Sequence, residues 1–535
     1  MLRIAVAQFN ATVGDLTGNV ERILKCAAEA KARGAQVLLT PELALCGYPP
    51  EDLLLRPDFY RACNRALDEL AAAAGDISLI VGHPDEFDGC CYNAASIIEQ
   101  GRRRAVYRKR RLPNYDVFDE RRYFDPGSEV CVVTLGGVRC GINICADIWE
   151  AGAFEATHAA GAELMLVLNA SPCHLEKHQE RTRVLGERIA ATGIPAIYCN
   201  LVGGQDELVF DGASFALDAH RRLCMRLPQF VEALGVVDFH DGRLASTDLA
   251  SELSLEAEAY AALVLGVRDY IGKSGFPGAI IGLSGGIDSA LTLCVAVDAL
   301  GADKVRAVMM PSPYTAQMSL DDSREMIRLL GVRYDEIAIE PAMQTYARML
   351  DPLFAGLPAD TTEENIQARI RGNILMALSN KTGSLVLTTG NKSEMAVGYC
   401  TLYGDMAGGF AVIKDVYKTL VYRLSRYRNT ISPVIPENII VRPPSAELKP
   451  GQVDQDSLPE YDVLDAIVRA YMEEDRSPRE IIAAGLPEAA VRRVVRLLRI
   501  AEYKRRQAPV GIRITPRGFG KDWRYPITNR YSDEF

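Results

Sequence analysis

Ala279-Ile280-Ile281-Gly282-Leu283-Ser284-Gly285-Gly286-Ile287-Asp288-Ser289 begins as an apolar strand, breaks at glycine and serine, and runs into an apolar helical stretch over 290–300. Strand, turn and helix in that order place the turn's backbone N–H groups at a helix N-terminus, where unpaired donors and the helix dipole both favour an anion. Gly285 and Gly286 let the chain approach such a group closely, and Ser284 and Ser289 add hydroxyl donors. The run lacks the lysine of G-x-x-x-x-G-K-[ST] and is therefore not the loop that handles a transferred γ-phosphate. A helix is predicted before it at 255–271. Strands at 305–309, 334–339 and 385–389 follow it, alternating with helices at 320–330 and 362–381. That alternation predicts a doubly wound, Rossmann-like parallel sheet with its ligand at the carboxyl ends of the strands. Further helices are expected at 460–474 and 488–507.

A chain of 535 residues exceeds one ordinary core. Residues 1–240 alternate short β-rich runs (4–8, 37–40, 78–81, 94–98, 105–108, 130–135, 139–144, 164–168, 196–200 and 214–217) with helical ones such as 20–33 and 177–192, a layered α/β pattern. The polar, aperiodic stretch that follows suggests a domain at 1–245, a linker at 246–256 and a second domain at 257–535. No apolar run approaches the roughly 20 residues of a membrane span, and the N-terminus carries no signal-peptide pattern, so a cytoplasmic protein is expected. The net charge of −10 argues against a nucleic-acid surface. Thirteen scattered cysteines without a C-x-x-C pair read as reduced thiols. All six histidines precede position 241, so chemistry in the second half must rest on carboxylates, lysines and Mg²⁺.

Three features of the first half sit at predicted strand ends: Pro41-Glu42-Leu43, Tyr107-Arg108-Lys109-Arg110, and Asn143-Ile144-Cys145-Ala146-Asp147. Alone, each is ordinary: a loop carboxylate, one cation in a basic run, a packed thiol. Together they offer a nucleophile, a base and a positive donor for a tetrahedral oxyanion, which is what amide hydrolysis requires. The constellation resembles that of the nitrilase (carbon–nitrogen hydrolase) superfamily, implying an α-β-β-α sandwich. Cys145 would be the nucleophile, its thiolate favoured by Lys109, which also holds the oxyanion, with Glu42 the acid–base. The resemblance further implies that Tyr115, Ser171 and Lys177 hold a glutamine substrate. Position 146 is alanine where that family usually carries an acid.

In the second half, S-G-G-x-D-S resembles the pyrophosphate loop of enzymes that cleave ATP to AMP and pyrophosphate. Glu364-Asn365-Ile366-Gln367-Ala368-Arg369-Ile370-Arg371, Thr388-Thr389-Gly390-Asn391-Lys392-Ser393-Glu394, Gly398-Tyr399-Cys400-Thr401-Leu402-Tyr403-Gly404-Asp405, and Lys414-Asp415-Val416-Tyr417-Lys418 extend the match. The chain resembles the NAD synthetases, and the fused first half points to their glutamine-dependent kind. The resemblance implies ATP along Gly282, Leu283, Ser284, Gly285, Gly286, Ile287, Asp288 and Ser289, with Thr389 and Lys418. Asp288 and Glu394 would be the Mg²⁺ carboxylates, and Asn365, Glu394, Tyr399 and Lys504 would contact deamido-NAD. Glutamine-derived ammonia would attack the adenylate of deamido-NAD through an internal channel, in a homo-oligomer. Two other readings stay open here: a different acceptor, such as a purine nucleotide or a tRNA base, and a first half reduced to an assembly scaffold.

Overall fold

Alternating apolar residues in the first 240 positions build two sheets that share one buried face. The computed structural model describes residues 1–531, 533 and 534, and its chain divides into Met1–Ser254 and Leu255–Phe535. In the first unit a seven-stranded sheet runs in the order Arg243–Leu244, Ala233–His240, Leu2–Gln8, Val37–Leu39, Ser78–Phe87, Cys90–Glu99, Arg102–Arg108. A six-stranded sheet has the order Leu223–Arg226, Phe215–Leu217, Ala196–Asn200, Leu164–Asn169, Val138–Ile144, Val132–Leu135. Ile4, Val6, Leu39, Ile97 and Tyr107 of the first sheet meet Ile142, Ile144, Leu166 and Ile197 of the second in one core. Outside the first sheet pack Leu16–Ala32 and Pro57–Ala73, and outside the second Ala153–Ala159 and Lys177–Thr192. The result is the α-β-β-α sandwich expected for this half.

The second unit is a parallel sheet ordered Arg333–Glu336, Val305–Met309, Ala279–Leu283, Leu385–Thr388, Phe410–Ala411. Ala279–Leu283 is central, and the chain leaves it on one side towards Val305–Met309 and returns on the other at Leu385–Thr388, the doubly wound arrangement whose crevice opens above the strand ends. Its sheet face packs Ile280, Val308 and Val386 against Ile370 and Leu375 of the helix Thr361–Thr382.

Several boundaries differ from the sequence reading. The segment 246–254 is tied to the first unit: Thr247 N donates to Cys224 O at 2.8 Å and Ala250 N to Arg226 O at 3.0 Å. The next helix already starts at Leu255. The strand expected over 334–339 is Arg333–Glu336, a sheet-edge strand, and the helix Glu340–Phe354 that follows was not foreseen. The helix expected over 488–507 is two, Glu488–Ile500 and Glu502–Arg505. Among the described residues no helix is long and apolar enough to cross a membrane.

Candidate active site

In the first unit the strand ends bring Glu42, Lys109 and Cys145 together. Lys109 follows Arg102–Arg108, is fully buried, and donates from Nζ to Glu42 Oε1 at 2.6 Å. A second carboxylate shares that ammonium: Glu120 Oε1 and Oε2 lie 2.8 and 2.9 Å from Lys109 Nζ. Burial alone would pull Lys109 down, but Glu120 and Glu42 outweigh it and hold the ammonium above its ordinary range. Glu120 is raised to about 7, first by burial, against the pull of Lys109. Tyr48 O–H donates to Glu120 Oε1 at 3.0 Å.

Glu42 is fixed as an acceptor. Its Oε1 also takes Asn93 Nδ2 at 2.7 Å, and its Oε2 takes the Ala170 N–H at 3.0 Å. The Cys145 thiol lies against it as a further donor. Cys145 follows Val138–Ile144 and adopts a φ of 39°, the left-handed region that a non-glycine residue occupies only under constraint. Its thiol is held well above the ordinary range, first by burial and then by Glu42, with Lys109 opposing. Lys109 acts on the thiol in the expected direction, lowering it, while burial and Glu42 raise it.

Asp147 supplies the constraint. Its Oδ2 accepts Ile144 N at 2.9 Å and Tyr107 O–H at 2.7 Å, and its Oδ1 accepts Arg110 N at 3.1 Å and Arg111 N at 2.9 Å. One buried carboxylate thus joins the turn at Cys145 to the segment that carries Lys109, whereas position 146 is a buried methyl group. Asp147→Ala strips the acceptor from four donors. It is expected to destabilise the protein by about 3 kcal/mol or more, read as a lowered thermal midpoint.

The residues expected to hold glutamine differ in what they touch. Tyr115 is half exposed, packs edge-on to Phe118 at 5.7 Å, and is pushed up to about 12 by burial and then by Cys145. Ser171 N donates to Asn200 Oδ1 at 3.0 Å, and Ser171 Oγ receives Arg181 Nε at 3.1 Å. Arg181 is itself locked to Asp211 by bonds of 2.7 and 2.9 Å from Nη1. Lys177 opens the helix Lys177–Thr192, with its Nζ 4.2 Å from the Trp149 ring centroid and 2.6 Å from Glu180 Oε2.

In the second unit the Ser284–Ser289 turn lines a cleft of about 290 Å³ above the strand ends, together with Met310, Thr389, Glu394, Tyr399 and Lys418. Gly285 has a φ of +79°, and a Cβ there would stand 2.8 Å from Ser319 Cβ, so glycine is required. Ser284 Oγ and Ser289 Oγ are 3.1 Å apart, and Gly286 N donates to Ser284 Oγ at 3.2 Å. Asp288, in the first turn of Ile287–Leu300, accepts Asn391 Nδ2 at 2.8 Å and a short bond from Lys418 Nζ. Glu394 Oε1 lies 3.6 Å from the same ammonium. Burial and then Asp288 push Glu394 up to about 8 against Lys418.

Residues 259–508 match the NAD synthase family model and residues 3–248 the carbon–nitrogen hydrolase model. A glutamine-dependent NAD(+) synthetase of Xanthomonas campestris pv. campestris (strain 8004) is 52% identical over 542 residues, covering 100% of this chain and 98% of its own. The chain belongs to the glutamine-dependent NAD(+) synthetases. The Thermotoga maritima synthetase is 45% identical over 99% of both chains. A solved synthetase from Acinetobacter baumannii, in complex with ADP, superposes with a TM-score of 0.81 at 44% identity over 100% of each chain.

Within this synthetase fold, two of the residues expected to meet deamido-NAD are not among the side chains lining the cleft. Lys504 Nζ donates to Gly398 O at 2.8 Å and Cys400 O at 2.7 Å, and Asn365 Oδ1 accepts Thr401 O–H at 2.7 Å. Both brace the 398–401 segment, whose Tyr399 does line the cleft and donates to Asp454 Oδ1 at 3.3 Å. Tyr403 is largely exposed and bonds to Gln507 rather than packing in a core. Sequence reasoning passed over Glu120, which stands in the charge run Asp119-Glu120-Arg121-Arg122 and has the look of a solvated turn. It also passed over Asn93 and Arg181, neither of which carries a local signal. Asp147 and Asn391 lay inside quoted motifs without a role.

Proposed function

We propose that Cys145, Glu42 and Lys109 release ammonia from glutamine and that the cleft around Asp288 and Lys418 uses ATP to activate the carboxylate of deamido-NAD for capture of that ammonia. The observation that carries the first half is the bond set of Glu42. Its carboxylate already accepts three N–H donors (from Asn93, Lys109 and Ala170), so it acts as an anion ready for the Cys145 proton. As sulfur attacks the amide carbon, the thiol proton passes to Glu42 and Lys109 faces the developing oxyanion. Glu42 then protonates the departing ammonia, and later takes a proton from the water that frees glutamate. Glu120 balances Lys109 without occupying Glu42. Tyr115, Ser171 and Lys177 surround the glutamine.

Activation in the second unit makes AMP the leaving group, because a carboxylate alone is a poor electrophile. The turn N–H groups of Ser284–Ser289 hold phosphates and Thr389 lies on the nucleotide. Asn365 and Lys504 act on deamido-NAD through the segment that presents Tyr399. Among the described residues no cluster of three or more His, Cys, Asp or Glu side chains surrounds a common metal point. Two carboxylates suffice for Mg²⁺, which keeps waters and phosphate oxygens as its other ligands. Burial and then Asp288 raise Glu394, so a cation bound between the two carboxylates would favour their ionised forms. Asp288 and Glu394 would hold that ion, which when bound offsets phosphate charge.

Products test this reading. Nicotinic acid adenine dinucleotide, ATP and glutamine should yield NAD, AMP, pyrophosphate and glutamate in equal amounts, and chelation of divalent cations should stop NAD formation. Release of ADP instead of AMP would sink the adenylate step.

A further inference from the structure

Arg371, Lys414, Lys418 and Arg442 are the cations lining the cleft of the second unit. Three are engaged. Lys418 is shared by Asp288 and Glu394, and Lys414 Nζ donates to Pro509 O at 2.6 Å. Arg442 donates to Ser319 Oγ at 2.9 Å and to Gly285 O, with Glu447 at 4.0 Å. Arg371 differs. It stands on Thr361–Thr382, and its Nε donates to Met310 O at 3.0 Å. Among the described residues its two terminal nitrogens have no hydrogen-bond or ion-pair partner. They are also not among the sealed polar atoms, so they reach the open cleft that the side chain lines. Burial lowers the group to about 10, with Glu447 only partly opposing. A recessed guanidinium without a carboxylate is costly in the folded chain, and its planar fork suits a phosphoryl group.

Position within the cleft says which phosphoryl group. Asp288, Thr389, Glu394 and Lys418 gather over the ends of Ala279–Leu283 and Leu385–Thr388. Arg371 lies on the opposite flank, tied to the residue that follows Val305–Met309. There the wall is apolar. A Cβ on Gly282 would stand 3.1 Å from Leu375 Cδ1 and 3.4 Å from Met310 Cε, and Met309 continues the surface. A flat apolar wall beside a lone guanidinium suits a purine with its attached 5′-phosphate, whereas the turn donors suit the pyrophosphate end.

We propose that Arg371 binds the adenylate half of ATP, its terminal nitrogens donating to the α-phosphoryl oxygens, and that the same contacts hold AMP as it leaves. The inference rests on the reading of this cleft as the ATP site. Inhibition by AMP and by pyrophosphate, measured separately on the full-length protein and on Arg371→Lys and Arg371→Met, tests it. In both variants the KM for ATP and the inhibition constant for AMP should rise about ten- to a hundredfold, the worth of one charged hydrogen-bond pair. The KM for deamido-NAD and the inhibition by pyrophosphate should stay unchanged. The thermal midpoint of Arg371→Met should equal or exceed that of the parent, because removing a recessed charge that has no ion-pair partner offsets the loss of the single Nε bond to Met310 O. Unchanged AMP inhibition overturns the proposal. So does equal weakening of AMP and pyrophosphate, or a lowered midpoint with both weakened, which would make Arg371 a structural prop. An unsubstituted protein that forms no AMP fails at the cleft reading itself, independently of Arg371.

Discussion

Cys145→Ala is expected to abolish glutamine-driven NAD formation, by about a thousandfold or more, while ammonia-driven formation continues at the parent rate. The asymmetry follows from where the thiol stands. Cys145 lies wholly within Met1–Ser254, in contact with Glu42, whereas the cleft that carries Asp288 and Lys418 lies within Leu255–Phe535. Removing one sulfur atom leaves the turn otherwise intact, since the Asp147 bonds to Ile144, Arg110 and Arg111 do not involve the Cys145 side chain. NAD yield with glutamine and with ammonium, assayed in parallel, reads both arms. Undiminished glutamine use would remove Cys145 from the chemistry.

The raised thiol adds a second readout. Because burial and Glu42 raise the Cys145 thiol, the thiolate absorbance difference between the parent and Cys145→Ala should stay flat around neutral pH and appear only in alkali. A step near neutrality would mean that Lys109 wins over Glu42 and that the nucleophile is preformed. The proton would then not need to move to Glu42 on attack.

Much of this architecture was legible because the chemistry sits at strand ends. Apolar runs with a polar stop, such as the one before Glu42 or the one before Ser284, locate a sheet and its functional rim at once. What stayed hidden has a common physical cause. Glu120 comes from a turn whose neighbours are all charged, and only the tertiary fold places it against Lys109. Ala233–His240 pairs with Leu2–Gln8 across more than 200 residues, a register that no local period encodes. Lys504 illustrates the converse. A basic trio at 504–506 suggests either a solvated face or a ligand contact, yet Lys504 caps carbonyls of the 398–401 segment and Arg505 is buried against Glu502. Charge in a sequence reports that a partner is needed, not where it lies.

Asp288→Ala should remove NAD formation from both nitrogen donors, again by about a thousandfold, while release of glutamate from glutamine persists. Asp288 is the hinge of the second site. It joins Asn391, which caps Lys392–Val397, to Lys418, which opens Lys418–Ile431, and it raises Glu394. Without it, among the described residues, Lys418 keeps the more distant Glu394 at 3.6 Å as its carboxylate, and on the proposed reading the turn loses its cation ligand. Lys418→Met makes the complementary case. It leaves Asp288 and Glu394 facing one another without the ammonium between them, so Glu394 should take up a proton more readily and the thermal midpoint should fall as pH rises. Asp288→Ala relieves that repulsion and should not show the same trend. Loss of both NAD-forming routes in the two variants, with a steeper fall of the midpoint with pH in Lys418→Met than in Asp288→Ala, would assign the pair to the synthetase step as a charge-balanced unit. If Asp288→Ala lost glutamine-driven synthesis yet kept ammonia-driven synthesis, the carboxylate would be serving transfer of nitrogen and not activation of the acid.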